Sequence, residues 1–372
     1  MSKQNYTGVD PALQVVAAAD EVFHTLCPGP QASYFSVAHG WTQEELKKVG
    51  ARLTYLRSIP DDQELWPHVG HRSESLIREG GNWPPIWARA DISDTLLVAT
   101  LAPSPSAGQI VVRVDSGLYR VADLKGRKIG VPKGRNIRKL DFGRVPLHRG
   151  VIDSLRVNGV KLDEVTIVDL EHDDFAVEKV SATPAERAGR YTAAKALEAH
   201  DVIALSEGKV DAIFTAKDKT RALEATGQFK VIEDLGRHPD WTLTGASTPV
   251  ISVSAKLARE HPEWIVAYLR AAIRGGRWVK ANARAAAELF ARQSGPHLDI
   301  DVLTQQLASQ DFTPKLDPQA LGGLEVQKRF LKEFGYIRND FDIKDWVAPQ
   351  FLEEALATVD ADTAPVTAVA AE

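Results

Sequence analysis

Short runs rich in valine, isoleucine and leucine alternate along this chain with longer runs of helical periodicity. This alternation limits the folds open to the chain, because it is typical of α/β proteins in which helices connect mainly parallel strands. We predict a helix over residues 42–49 that Gly50 closes, followed by a strand over 52–56. The other predicted strands are 95–100, 109–114, 128–131, 164–169, 212–215, 229–233 and 250–253.

The last third of the sequence is dominated by long amphipathic helices. Apolar residues recur at helical spacing over 262–287, and two further helices are predicted at 300–309 and 318–335. A run rich in alanine and acidic residues over 172–200 is predicted to be a helical insertion at the surface. The tail over 358–372 is rich in alanine, threonine and valine without clear periodicity, and we expect it to be flexible.

The overall composition argues against several classes of protein. A length of 372 residues suggests two domains, and a net charge of −5 without a basic stripe argues against nucleic acid as a partner. No apolar run approaches the roughly 20 residues that a membrane-spanning helix needs, so we expect no membrane association. The first 26 residues lack the basic segment and long apolar core of a secretory signal. We therefore expect a cytoplasmic monomer, in a compartment where an unpaired thiol stays reduced.

Cys27 is the only cysteine of the chain, so it cannot form an internal disulfide or a site with two cysteine ligands. Free cysteines are most often small buried hydrophobes. Here, however, Pro28 and Pro30 favour the first turn of a helix, which we predict over 31–38. A thiol just ahead of a helix start faces unpaired N–H groups that stabilise a thiolate. From Cys27 alone, a packing role and a reactive role both remain open.

Polar residues suited to binding a small anion follow within the next sixty positions. Arg78 stands before the pair Gly80 and Gly81, and an arginine can hold two oxygens of an oxyanion at once. Adjacent glycines allow backbone N–H groups to approach the same anion. His68 and His71 precede them, and a histidine can pair with a thiol and move its proton. Together with the thiol, these groups suit chemistry on a carboxylate, sulfinate or phosphate.

Each of these residues also has an ordinary structural interpretation. Either histidine could be a packing residue, Arg78 could pair with a carboxylate on a helix face, and the glycine pair could merely end a helix. His24, three residues before the cysteine, competes as the partner of the thiol. A metal site built from the thiol and the two later histidines lacks an evident fourth ligand, so we expect no metal.

The order of several motifs resembles the periplasmic solute-binding proteins of sulfonate and pyrimidine importers. The motifs are Gly40-Trp41 and the segments 76–81, 121–131, 205–212 and 258–264.

This resemblance implies a type II periplasmic-binding-protein-like fold, with two α/β lobes around a ligand cleft. Lobe one would comprise residues 1–118 and 246–372, and lobe two residues 119–245. The chain would cross between the lobes near residues 118 and 246.

Three further motifs are more specific. The sequences Cys-Pro-X-Pro at 27–30, Arg-X-Gly-Gly-X-X-Pro-Pro at 78–85 and Asp-Trp-X-Ala-Pro-X-Phe-Leu at 345–352 resemble the 2'-hydroxybiphenyl-2-sulfinate desulfinase family. The similarity runs from about residue 20 to 357. The resemblance implies an intracellular enzyme of dibenzothiophene desulfurization that needs no metal or organic cofactor.

The resemblance also assigns roles to individual residues. The catalytic cysteine of the family corresponds to Cys27, its histidine to His68, its arginine to Arg78 and its sulfinate-binding amide to Gly81. The implied reaction is the hydrolytic release of sulfite from a small aromatic sulfinate, in which the thiol either attacks sulfur or protonates the ring carbon. The residues that we expect to contact the substrate are Gly80, Gly81, Trp83 and Phe35. Further aromatic candidates are Trp87, Phe214 and Trp241.

The sequence departs from the family between Cys27 and His68, where it carries extra residues, and over 140–160, where it is shorter. The alternative interpretation is a non-enzymatic solute-binding protein for a sulfonate or another small anion. A third is a related cysteine enzyme that acts on a different small acid. The alternative of a binding protein predicts ligand binding that does not depend on Cys27.

Overall fold

The structure of the protein is a computed structural model that describes residues 16–27, 29–58, 66–102, 108–135, 140–173, 199–244, 248–294 and 298–360. The predicted insertion over 172–200 therefore lies largely outside the described residues, as does the predicted flexible tail.

Strands and helices alternate through most of the described chain. The strands are β1 (Glu21–Leu26), β2 (Arg52–Tyr55), β3 (Leu76–Gly80), β4 (Thr95–Thr100), β5 (Gln109–Arg113), β6 (Lys128–Gly134), β7 (Thr166–His172), β8 (Ala212–Thr215), β9 (Phe229–Asp234) and β10 (Val250–Ser254). Single 3-10 turns occur at Leu56–Ser58, Val114–Ser116, Val121–Leu124, Leu162–Glu164 and Leu235–Arg237.

The α-helices are short in the first two thirds of the chain and longer after residue 261. They are α1 (Ala32–Ala38), α2 (Trp41–Lys48), α3 (Trp66–Gly70), α4 (Trp83–Asp91), α5 (Val145–Val157), α6 (His200–Ser206), α7 (Lys217–Glu224), α8 (Trp241–Thr244), α9 (Ala255–Glu260), α10 (Pro262–Ala281), α11 (Ala283–Ser294), α12 (Ile300–Ala308), α13 (Pro318–Glu333), α14 (Ile343–Trp346) and α15 (Gln350–Thr358). Of these, none is both long enough and apolar enough to cross a membrane.

The strands form two five-stranded sheets. In the first sheet the order is β2-β1-β3-β10-β4, and in the second it is β7-β6-β8-β5-β9. Only β10 in the first sheet and β5 in the second run against their neighbours, so the other strands of each sheet share one direction. The prediction of an α/β fold with two mainly parallel sheets flanked by helices is confirmed.

The two antiparallel strands lie next to the points where the chain changes sheet. The chain leaves the first sheet after β4 and enters the second at β5, which pairs with β8 and β9. It returns between β9 and β10, where β10 inserts between β3 and β4. This strand order places 109–113 with the second sheet. The division of the chain into lobes near residues 118 and 246 remains a prediction.

The predicted helix over 262–287 is two helices. The backbone of Asn282 is not helical, with φ −135° and ψ 44°, and its N–H donates to the carbonyls of Trp278 and Val279. Helix α10 therefore ends at Ala281 and α11 begins at Ala283. Periodicity alone did not show this break, because the apolar positions continue across it.

Helix α10 packs against the first sheet. It also contacts α1, the short helix that follows Cys27. The contact is a backbone approach, because a Cβ atom on Gly275 would lie 2.4 Å from the carbonyl oxygen of Ala32. A glycine at this position lets the two helices touch main chain to main chain. The position of α1, and hence of the turn before it, depends on this contact.

A glutamate is buried within the same interface. Glu79 on β3 is fully buried, and its side chain points away from that of its neighbour Arg78 because successive residues of a strand face opposite sides. Burial raises the pKa of the Glu79 carboxyl to about 7, while the Ser33 hydroxyl and the Ser33 and Ala32 amides act in the opposite direction.

We expect Gly275→Ala to lower the free energy of unfolding by roughly 1–3 kcal/mol, because the added methyl group meets the α1 backbone. Thermal or urea unfolding monitored by circular dichroism measures this. Gly322→Ala on α13 is the control, since its methyl group would meet only the ring edge of Trp241, at 3.3 Å. Equal stability of the two variants would contradict close packing of α1 on α10.

We expect Glu79→Gln to make stability less dependent on pH. An unfolded glutamate loses its proton near pH 4.5, whereas folded Glu79 keeps it until about pH 7. The folded state thus binds more protons between these values, and wild-type stability falls as pH rises through this window. The advantage of the variant over wild type should grow from pH 5 to pH 7 and then level off, on the order of 3 kcal/mol in all.

Urea unfolding at pH 5, 6, 7 and 8 measures the effect. Glu353→Gln, at an exposed position of α15, controls for the general loss of one negative charge. A Glu79→Gln advantage that is constant across this range would show that Glu79 ionises like an ordinary carboxyl.

Candidate active site

The thiol of Cys27 stands at the end of β1, where the chain turns towards α1. The Cys27 N–H donates to the carbonyl of Glu79 at 3.1 Å, which extends the β1–β3 pairing by one residue. The side-chain amide of Gln31 donates to the Cys27 carbonyl at 3.1 Å and closes the turn. Cys27 is partly exposed. Its side chain is therefore held at a strand end and accessible to a ligand.

His68 is the histidine that the structure brings to the thiol. It lies on α3, is buried, and its Nε2 atom is 3.6 Å from the Cys27 Sγ. Its other ring nitrogen, Nδ1, is 2.9 Å from the Oγ1 atom of Thr25. Arg57 Nε donates to the same Thr25 oxygen at 3.4 Å.

This chain of contacts determines what His68 can do for the sulfur. When the Thr25 hydroxyl donates to Nδ1, the hydrogen of His68 is on Nε2 and stabilises a thiolate. In the opposite tautomer, Nδ1 donates to Thr25 and Nε2 accepts the thiol proton. Thr25 therefore orients the ring in either state, and His68 is placed to hold a proton for Cys27.

Arg78 completes the group from β3. Its Nη2 atom donates to Cys27 Sγ at 3.7 Å, its Nε to the His68 carbonyl at 3.0 Å and its Nη1 to the Gly81 carbonyl at 3.0 Å. The side chain is fully buried, and burial lowers the pKa of the Arg78 guanidinium, which the Cys27 sulfur opposes. A guanidinium remains charged even so.

The positive charge of Arg78 has no carboxylate partner within the part of the chain that the structure describes. A buried charge is costly unless an opposite charge compensates it. The thiol, when ionised, and an anionic ligand are the groups that can supply this compensation. Arg78 lies on the strand β3 and not on a helix, so its interpretation as half of a helix-face ion pair is wrong.

Gly80 makes room for the sulfur. Its φ of +147° lies in a region that residues with a Cβ rarely adopt, and a Cβ atom here would lie 2.3 Å from Cys27 Sγ. Gly80 ends β3, so the alternative that the glycine pair merely stops a helix is wrong. The next residue, Gly81, lies beside the guanidinium, because its carbonyl accepts a hydrogen bond from Arg78 Nη1.

The other two candidate histidines lie away from the thiol. His71 Nε2 is 3.2 Å from the carbonyl of Leu76, and His24 packs beside the rings of Tyr55 and Tyr268 at 5.4 and 6.4 Å. Burial lowers the pKa of each histidine to about 3, with the charge of Arg78 adding to the effect at His71. Both are therefore neutral packing residues near neutral pH.

Two of the predicted aromatic contacts line a cleft. Trp83, at the start of α4, and Phe214, on β8, face a cavity of about 220 Å³ together with Leu147, Leu235 and Leu243. Trp83 follows the glycine pair by two residues, and Phe214 belongs to the second sheet. The cavity therefore lies between α4 and the second sheet. The residues that line it do not include Cys27, His68 or Arg78.

The remaining aromatic candidates are placed differently. Phe35 is fully buried in a cluster with Tyr34 and Trp278, and Trp87 is buried in another cluster. Trp241 is 40% exposed. Phe35 thus has no free surface for a ligand in this structure, and its assignment to substrate binding stays a prediction.

Sequence reasoning missed Thr25 and Arg57. Thr25 stands two residues before Cys27, so it faces the same side of a strand. The signal was available in the alternation over 21–26, but that segment was not predicted as a strand. Within the described ranges, no group of three or more histidine, cysteine, aspartate or glutamate side chains could hold a metal ion.

No protein-family model matches the chain. The chain is 27% identical over 366 residues to 2'-hydroxybiphenyl-2-sulfinate desulfinase of Rhodococcus erythropolis, covering 91% of this chain and 94% of that protein.

Solved structures show the fold. A cysteine-to-serine mutant of DSZB in complex with biphenyl-2-sulfinic acid has a TM-score of 0.66 at 22% identity, covering 91% of this chain and 99% of that one. The sulfonate-binding protein SsuA of Methylobacillus flagellatus has a TM-score of 0.65 at 19% identity, covering 94% and 98%. The resemblance predicted from the motifs is confirmed: over most of its length the chain is similar to 2'-hydroxybiphenyl-2-sulfinate desulfinases, and it shares the fold of solute-binding proteins.

Proposed function

We propose that the protein is an aryl-sulfinate desulfinase that releases sulfite from 2'-hydroxybiphenyl-2-sulfinate or a close analogue. The observation that carries the proposal is the buried guanidinium of Arg78. It has no carboxylate partner among the described residues and converges with His68 on the only thiol of the chain. A sulfinate offers two anionic oxygens next to an electrophilic sulfur, which matches this arrangement. The desulfinases to which the chain is similar supply the substrate class.

The roles follow from the positions of the side chains. Arg78 and the Gly81 amide hold the sulfinate oxygens, so the negative charge of the substrate compensates that of the guanidinium. Cys27 acts on the sulfur or on the ring carbon, and His68 holds the proton. Trp83 and Phe214 supply apolar surface for the aromatic part in the cleft. No step requires a cofactor.

Both routes balance with water as the only co-reactant. In the first, the Cys27 thiolate attacks sulfur, the carbon–sulfur bond breaks, and the arene carbon takes a proton. Water then releases bisulfite from the sulfur bound to Cys27. In the second, the Cys27 thiol gives its proton to the ring carbon, and the electron pair of the carbon–sulfur bond restores the aromatic ring. Sulfur dioxide leaves, and water converts it to bisulfite.

The proposal extends to a hydrolase that works as a monomer in the cytoplasm. The Cys27 thiol supports this location. It is partly exposed beside a histidine and an arginine and so is prone to oxidation, and the cytoplasm is reducing.

The other candidate function is binding of a sulfonate without turnover. A short segment favours it: over 85 residues, 23% of this chain and 24% of that protein, the chain is 33% identical to a putative aliphatic sulfonates-binding protein of Escherichia coli. The thiol–histidine contact favours the enzyme, since binding alone does not need a nucleophile or a proton donor.

We expect Cys27→Ser to reduce sulfite release from 2'-hydroxybiphenyl-2-sulfinate by at least about a thousandfold, because a serine hydroxyl is both a poorer nucleophile and a weaker acid. The variant should still bind the sulfinate, since Arg78 is unchanged. Sulfite assay and calorimetry of wild type and variant separate turnover from binding. Turnover by the variant at the wild-type rate, or binding by wild type without any sulfite release, would contradict the proposal.

We expect Gly80→Ala to reduce sulfite release by roughly a hundredfold, because the methyl group displaces the Cys27 sulfur. Gly50→Ala is the control for an alanine at a positive φ: at +75° its backbone is less strained than that of Gly80, and its methyl group would meet nothing within 4 Å. Thermal unfolding should show a loss of stability in both variants. The sulfite assay should show a loss of activity only in Gly80→Ala. Comparable activity in the two would show that the sulfur tolerates displacement.

A further inference from the structure

A group of buried polar side chains lies on the reverse face of the first sheet, behind the thiol. His24, Ser33, Glu79 and Tyr268 come from β1, α1, β3 and α10, and each is nearly or fully buried. The His24 Nδ1, Ser33 Oγ and Tyr268 hydroxyl and both Glu79 carboxyl oxygens have no well-formed hydrogen bond within the described residues. Buried polar groups that lack well-formed hydrogen bonds are costly, so such a cluster calls for a functional explanation.

Glu79 is the member of this cluster that connects to Cys27. Its main-chain carbonyl accepts the Cys27 N–H at 3.1 Å, just before the turn to α1. Its carboxyl faces the Ser33 hydroxyl and the amides of Ser33 and Ala32, just after that turn. One residue therefore touches the thiol-bearing turn at both ends.

The neighbours of Glu79 on β3 already serve the thiol from the other face. Arg78 donates to the sulfur, and Gly80 leaves space for it. Only the thickness of one strand separates the carboxyl from these groups. A change of charge at Glu79 therefore acts on the turn through its amide contacts and on the sulfur through the low-polarity interior.

We propose that Glu79 is a positioning residue for the Cys27 thiol, which holds the turn before α1 and restrains the sulfur when its carboxyl is ionised. An ionised carboxylate is a stronger acceptor for the Ser33 and Ala32 amides than a neutral carboxyl, so it tightens the turn. Its negative charge also disfavours a second negative charge on the sulfur. Both effects slow the reaction of the sulfur with an electrophile.

Each element packed around Glu79 contributes groups to this balance. Ser33 comes from α1, His24 from β1 and Tyr268 from α10. His24 stays neutral, because burial lowers its pKa to about 3, and burial together with the charge of Glu79 raises the pKa of Tyr268 well above its usual value. On the opposite face, the charged and titratable groups near the sulfur are Arg78 and His68. Around neutral pH, Glu79 is thus the group of the buried cluster that changes charge.

The bearing of Glu79 on catalysis rests on the proposed desulfinase function. Because Arg78 and Gly81 still bind the sulfinate, loss of the Glu79 carboxyl should change KM little. On the route in which the thiolate attacks sulfur, it should raise kcat above pH 7, where the wild-type carboxyl is ionised. The effect on the thiol itself does not depend on any substrate.

Alkylation by iodoacetamide tests the proposal directly, since Cys27 is the only cysteine of the chain. We expect the ratio of the Glu79→Gln rate to the wild-type rate to be near one at pH 5.5, to rise through pH 7 and to level off at about three- to tenfold. Any contribution of His68 is common to both proteins and cancels in the ratio. A ratio that stays flat from pH 5.5 to 9 would overturn the proposal.

Two variants within the same cluster serve as controls. Ser33→Ala removes a hydroxyl that stabilises the ionised carboxylate. The ratio of the alkylation rate of Ser33→Ala/Glu79→Gln to that of Ser33→Ala should therefore rise at a higher pH than the ratio of Glu79→Gln to wild type. Tyr268→Phe removes a hydroxyl but keeps the carboxyl, and should leave the rise in place. Loss of the rise in Tyr268→Phe would assign the effect to packing of the cluster and overturn the role of Glu79.

The sulfite assay distinguishes failure of this inference from failure of the proposed function. A rising alkylation ratio without sulfite release by wild type would leave Glu79 as a positioning residue and refute the desulfinase. Sulfite release by wild type with a flat alkylation ratio would support the desulfinase and refute the positioning role of Glu79.

Discussion

The buried charge of Arg78 is the constraint on which the rest of the site depends. Its three donor atoms fix the His68 peptide, the Gly81 peptide and the thiol in one arrangement. Because the described residues supply two carbonyls and a sulfur but no carboxylate, the charge is only partly compensated. An apolar isostere would be easier to bury, so the fold retains an electrostatic cost at one point of its interior. In the proposed function, the charge of the sulfinate offsets this cost.

The solute-binding fold explains why so few residues are needed to build the candidate site. It consists of two mainly parallel sheets, and Cys27 and Gly80 stand at the ends of neighbouring strands of the first one. A thiol at the end of β1 and a glycine at the end of β3 place a partly exposed sulfur there without a new element of structure. Similar proteins that bind sulfonates share the architecture, so the fold alone does not decide between binding and catalysis.

The sequence predicted the architecture better than the local structure of the site. Strands 95–100 and 212–215 were predicted with their observed bounds, because apolar residues dominate each of them. The strands β1 and β3, which carry the site, were missed. Both are fully or nearly buried yet contain polar residues, so their composition does not read as a strand. Arg78 and Glu79 interrupt the apolar pattern of β3, and the pattern is what prediction uses.

The place of β10 in the first sheet has a consequence for the order of folding. The second sheet is built from one continuous stretch of chain, whereas the first needs β10 to join β3 to β4 across some 150 intervening residues. During synthesis, the second sheet can therefore be complete while the first still lacks the strand that unites it. The sheet that carries the thiol is therefore completed last. Until β10 is synthesised, the edges of β3 and β4 with which it pairs stay unpaired and accessible to the chaperones that bind nascent chains.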